Sequence, residues 1–128
     1  YLARTLDGQP MCGVLDADAQ MTKRLTLGYR EAVAASDSVL APAGTVVRGH
    51  EFHRTTCTPG SSPSAAWSWA GPDGAELREG FIDGAVHASY LHLHWAGSPQ
   101  LAGRFVASCA GSPRTARTID RSEQHAHR

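Results

Sequence analysis

In residues 23–34, KRLTLGYREAVA, the apolar side chains Leu25, Leu27 and Tyr29 recur at every second position. An extended strand produces a repeat of two, whereas a helix repeats every 3.6 residues. This run therefore predicts a half-buried β-strand and commits the chain to a sheet. A second β-rich run, TVVRGHEFHRTTC at 45–57, follows the turn-rich connection SDSVLAPAG. Gly49 interrupts it, and a glycine inside a strand marks a bulge or a close approach by another stretch of backbone.

Shorter elements surround these two. MCGVL at 11–15 is an apolar run between turn residues and predicts a buried strand that includes Cys12. Residues 58–74 are rich in Pro, Gly and Ser around Trp67 and Trp69, and predict a loop holding a short strand or hairpin. EGFIDGAVHASYLHLHW at 79–95 predicts a hairpin with Asp83-Gly84 as its turn. Ser98 is a good helix N-cap and Pro99 suits the first helical position. Leu101, Phe105 and Cys109, with Ala102 and Val106, make one apolar stripe that stops at Gly111.

Tyr1, Leu2 and Leu6 follow a helical spacing closed by Gly8 and Pro10, so the chain is expected to open inside a helix and to be a fragment of a longer protein. Residues 112–128 carry no core-forming pattern and are expected to be a disordered tail, leaving 1–111 as one domain. Six β-rich pieces and one clear helix give a mixed α/β class.

Twelve basic side chains balance twelve acidic ones, so no long-range field draws in nucleic acid or an anionic membrane. No apolar run approaches the roughly 18 to 20 residues of a membrane-spanning helix. Cys12, Cys57 and Cys109 are an odd set without a CxxC pair, which fits free thiols and a cytoplasmic location.

HASYLHLHW, residues 87–95, places three of the seven histidines in nine residues. On a strand, Tyr90, His92 and His94 would share one face and His87 the other. Three readings are open. His92 and His94 with His50 or His53 would supply three nitrogen ligands to zinc. Each histidine could instead be structural, satisfied by a backbone carbonyl. Or one of them is a general base, since imidazole titrates near neutrality. That reading needs a nucleophile, and none of the three cysteines is placed as one: Cys109 lies on the helix stripe, Cys12 in the predicted strand, and no helix N-terminus follows Cys57.

The order of motifs narrows the choice. LTLGYREA (25–32), APAGTVVRGHEFHRT (41–55) and GAVHASYLHLHWAGSP (84–99) together resemble the C-terminal part of the glutamine amidotransferase domain of the cobyrinic and hydrogenobyrinic acid a,c-diamide synthase family, over about residues 1–110. The resemblance implies a flavodoxin-like α/β glutaminase domain of the triad type. It implies a parent ligase that uses ATP and Mg2+, bound by a separate N-terminal domain, to amidate two carboxylates of a corrin ring with ammonia from glutamine.

Ser89-Tyr90-Leu91-His92 matches the family's strand with the catalytic histidine, which makes His92 the expected base. The nucleophilic cysteine of such domains precedes a helix that YLARTL would continue, so it would lie upstream of Tyr1. The partner of this chain would be the upstream half of its own domain, and this chain alone would be inert. Many triad amidotransferases carry His-x-Glu, but position 94 here is His. Glu51 is therefore a candidate replacement orienter, with a surface or hydrogen-bonded structural Glu as the plainer reading, and His94 a second supporting candidate; the small zinc module and a noncatalytic homologue remain the alternatives.

Overall fold

The computed structural model describes residues 1–111, so the tail expected at 112–128 lies outside the described residues. The α/β class holds: strands β1 (Thr5–Leu6), β2 (Gln9–Pro10), β3 (Asp18–Ala34), β4 (Val46–Thr58), β5 (Trp67–Ala70), β6 (Glu76–Glu79), β7 (Phe81–Asp83) and β8 (Val86–Ala88) precede a 3₁₀ turn, Trp95–Gly97, and helix α1 (Pro99–Gly111).

β3 is the spine. β4 pairs with it antiparallel from Asp18↔Thr58 to Val33↔Val46, with an irregularity in register between Met21 and Thr26. The other edge of β3 takes β1 near its start and β5 near its end. β6 extends the sheet beyond β5, and β7 and β8 form a separate two-stranded ribbon. The β1–β3 pair is parallel while the other strand pairs are antiparallel, so the parallel sheet that a flavodoxin-like domain implies contributes one short pairing among the described residues.

Three local expectations are corrected. The chain does not open in a helix: Asp7 and Gly8 both have positive φ and form the two-residue turn of a hairpin in which Leu6 faces Gln9. Asp-Gly is a strong short-range hairpin signal, and here it outweighs the helical spacing before it. Residues 11–14 pair with the opening segment through Met11, Cys12 and Gly13 amides but form no strand, and Cys12 is exposed. The second hairpin turn is Gly84-Ala85, one residue later than expected, since Asp83 pairs with Val86. A positive φ at Gly84, the first central residue, is the type II′ arrangement.

The apolar face of β3 is also the open one. Leu27 is 63% and Tyr29 90% exposed, while Ala32 and Ala34 on the other face are buried. The small side chains there leave room for Trp67, whose indole is fully buried with Ala41, Val47, Ala66, Leu91 and Leu101. Helix α1 starts where expected but docks through Leu101; Phe105, Val106 and Cys109 on its predicted stripe stay largely exposed. Removing a buried leucine side chain costs the transfer energy and leaves a cavity, so Leu101→Ala is expected to lose about 2–5 kcal/mol and Val106→Ala less than about 0.5 kcal/mol, read from urea unfolding midpoints.

Candidate functional site

Side chains leave β4 in two rows, because residues alternate along an extended strand. The even-numbered row, His50 and Phe52, is open to solvent opposite Tyr29 and Leu27 of β3. The odd-numbered row holds Glu51, His53, Thr55 and Cys57, buried or half-buried.

His92 joins the open row. The segment around it runs along the free edge of β4, where the His50 amide donates to the His92 carbonyl at 3.1 Å and the His92 amide to the His50 carbonyl at 2.8 Å. The two imidazoles stack with centroids 4.9 Å apart and planes 17° from parallel, and Tyr29 lies 6.2 Å from His50. Gly49 permits the approach: a Cβ there would fall 2.6 Å from the His92 carbonyl oxygen and 2.9 Å from side-chain carbons of Leu91 and Leu93. This is the close backbone approach that a glycine in a strand predicts. The His92 ring is exposed, its Nδ1 lies 3.1 Å from the His50 carbonyl oxygen, and its Nε2 meets no partner among the described residues.

Tyr90, His92 and His94 do not share a face. Regular strand geometry ends at Ala88, Tyr90 sits in a bend, and His92 makes only an isolated bridge. Tyr90 therefore stacks on His53 of the inner row, at 3.9 Å and 8°, while His92 stacks on His50 of the outer row. His94 caps the 3₁₀ turn, its Nδ1 accepting from the Ala96 amide at 3.2 Å. Among the described residues no group of three His, Cys, Asp or Glu side chains could hold a metal ion, so the three-nitrogen zinc set is not assembled.

Glu51 is buried and does not reach His92. One carboxylate oxygen accepts from Arg30 Nε at 2.9 Å and lies 2.8 Å from Arg30 Nη2; the other lies 3.2 Å from His53 Nε2. His53 Nδ1 in turn lies 2.8 Å from the Thr55 carbonyl oxygen. Both ring nitrogens of His53 thus face oxygen atoms of the protein itself. Thr55 Oγ1 donates to the Tyr90 hydroxyl at 2.7 Å, and Cys57 Sγ lies 3.4 Å from it. Burial, followed by the Cys57 contact, pushes the Tyr90 phenol up to about 12. At neutral pH it is a proton donor and no base for Cys57.

Thr55, Cys57, Tyr90, Ser89 and Glu79 line a cavity of about 420 Å³ that His92 does not enter. Glu79 accepts from Ser89 Oγ at 2.6 Å and from the Tyr90 amide at 2.8 Å. Burial nonetheless holds its carboxyl above the ordinary value of 4.5. Arg30, Thr55 and Glu79 are not among the residues that the sequence marks as site candidates. The two-residue repeat of Glu51, His53, Thr55 and Cys57 would have grouped the inner row; the Arg30 and Glu79 contacts depend on register and on loop paths with no local signal.

Residues 4–100 match the model of a CobB/CobQ-like glutamine amidotransferase domain. The chain is 61% identical over 112 residues to a hydrogenobyrinate a,c-diamide synthase of Streptomyces coelicolor, covering 88% of this chain and 23% of that protein. It is 50% identical over 110 residues to a protein of the same name from Mycobacterium tuberculosis, covering 86% and 24%. A cobyrinate a,c-diamide synthase of Gloeobacter violaceus is 44% identical over 108 residues, covering 83% and 23%. The chain thus spans about a quarter of the length of the curated relatives it matches. No solved structure matches it.

The Glu79 carboxyl gives the fold a pH dependence of defined sign. Its folded pKa is raised above the unfolded value of 4.5, so between the two the folded chain binds more protons and stability falls as pH rises. Glu79→Gln is expected to flatten that fall, checked by urea midpoints of both proteins measured at steps through the window above 4.5.

Proposed function

The chain belongs to the CobB/CobQ-like glutamine amidotransferase domain family, and from that premise we propose that it supplies the general base of a glutaminase site within a (hydrogeno)cobyrinate a,c-diamide synthase. His92 is the residue in that role. The observation that carries the reading is the orientation of this ring, which is exposed, with Nδ1 on the His50 carbonyl oxygen and Nε2 without a partner among the described residues. Both ring nitrogens of His53 face protein oxygens, and His94, though exposed, accepts the Ala96 amide at Nδ1, so its neutral ring carries the hydrogen on Nε2 and turns no lone pair outward.

None of the chain's cysteines sits beside His92. Cys12 and Cys109 are exposed elsewhere, and Cys57 contacts Tyr90. The nucleophile in this proposal is a cysteine of the protein outside these 128 residues. His92 Nε2 takes the thiol proton, and the thiolate adds to the side-chain amide carbon of glutamine. Collapse of the adduct expels ammonia, which carries away the proton returned by His92. Water, deprotonated by the same nitrogen, then cleaves the thioester to glutamate and frees the thiol.

The ammonia would be consumed where a corrin carboxylate has been activated with ATP and Mg2+. The residues present do not fit nucleotide binding, because the single lysine, Lys23, stands between Thr22 and Arg24 and no Gly-rich phosphate-binding loop accompanies it. ATP and Mg2+ are therefore proposed to bind another domain, and this chain alone to be inert. Among the described residues no helix is long and apolar enough to cross a membrane; a cytoplasmic location is part of the proposal.

In the full-length protein, His92→Ala is expected to lower glutamine hydrolysis by on the order of 10²–10⁴-fold, measured as glutamate release. Unchanged hydrolysis would remove His92 from the role.

A further inference from the structure

A general-base imidazole must present the correct nitrogen. In a triad a carboxylate beside Nδ1 fixes the tautomer and the ring plane. Neither position that the sequence offers for such a carboxylate fills that role here. Position 94 is His and caps a turn, and Glu51 is held by Arg30 and His53 on the other face of β4.

We infer that the main chain of β4 at Gly49–His50 takes the place of the orienting carboxylate: the His50 carbonyl holds His92 as its Nδ1–H tautomer and leaves the Nε2 lone pair facing outward. The chemistry follows from the acceptor. A carbonyl oxygen cannot donate, so at 3.1 Å the ring nitrogen facing it must carry the hydrogen. The same oxygen has two lone pairs, and it accepts from the His92 amide at 2.8 Å as well. Backbone and ring of His92 are thus fixed by one atom. A neutral imidazole with its hydrogen on Nδ1 is a base only at Nε2.

Gly49 makes the arrangement sterically possible. The reciprocal His50–His92 amide bonds hold the two backbones close enough that any side chain at position 49 would drive the His92 carbonyl and the Leu91 and Leu93 side chains away. Stacking of the His50 ring at 4.9 Å adds a wall that limits rotation of the His92 ring. Gly49 and His50 act through His92 and are positioning residues. That role rests on the reading of His92 as the base, whereas the tautomer can be measured apart from it.

The test uses full-length protein labelled with ¹⁵N-histidine, with long-range ¹H–¹⁵N correlation spectra recorded where His92 is neutral and its signals assigned by their loss in His92→Gln. The expected pattern is a protonated nitrogen at Nδ1 and an unprotonated one at Nε2. His50→Ala removes the ring but keeps the carbonyl, so the pattern should persist. Gly49→Ala, if its spectrum retains native dispersion, should shift His92 toward the Nε2–H form.

An Nε2–H tautomer in the unsubstituted protein overturns the inference, as does its appearance in His50→Ala. A well-dispersed Gly49→Ala that keeps Nδ1–H overturns the part assigned to Gly49. Glutamine hydrolysis measured on the same samples separates the two readings. An Nε2–H ring with hydrolysis still dependent on His92 removes only the positioning, and an Nδ1–H ring with hydrolysis indifferent to His92→Gln removes only the base.

Discussion

The pairing of β3 with β4 is the constraint on which the rest depends. Its register sets Glu31 opposite Arg48, Gly28 opposite Glu51 and Tyr29 opposite His50, and so decides which side chains of two long strands can meet. A slip of one residue would exchange the two faces of a strand. The buried row of Glu51 and His53 would then turn to water and the His50 row would turn inward. The long antiparallel ladder, with a small-residue patch at Ala32, Ala34 and Val47 receiving Trp67, Leu91 and Leu101, holds that register against slippage.

Two chemically distinct environments follow on the two sides of one strand. Inside, Arg30, Glu51, His53, Tyr90, Thr55 and Cys57 form a connected polar row in which each titratable ring or carboxylate already has a partner. Such a row specifies packing, since removing one partner leaves a buried polar group unmatched. Outside, Tyr29, His50 and His92 form an exposed aromatic line that ends in a ring with one nitrogen unengaged. Chemistry on a substrate needs an accessible group, and among the described residues the outer line offers the His92 Nε2.

Much of this was legible in the residues. The two-residue repeat foretold β3, Gly49 foretold the approach of another backbone, and Ser98-Pro99 foretold the start of α1. The motif order around Ser89-Tyr90-Leu91-His92 pointed to the family. What the residues hid was of two kinds. A short helical spacing at Tyr1–Leu6 competed with the Asp7-Gly8 turn signal, and the turn prevailed because two positive-φ residues close a hairpin at once. The orientation of the sheet was hidden as well. Leu27 and Tyr29 look like core residues by composition, yet the core lies over Ala32 and Ala34, where only small side chains leave room for an indole. Glu51 is the instructive case: next to His50 in sequence, it is separated from His92 by the strand itself.

The glutaminase role of His92 requires its outward nitrogen to face a thiol in the assembled enzyme. A crystal structure of the full-length protein with glutamine bound measures this directly. The expected result is a cysteine Sγ, contributed from outside these 128 residues, within hydrogen-bond reach of His92 Nε2, at about 3–3.5 Å, with the glutamine amide carbon beside the sulfur. A His92 ring with no cysteine near it, or with Nε2 committed to another side chain, would contradict it.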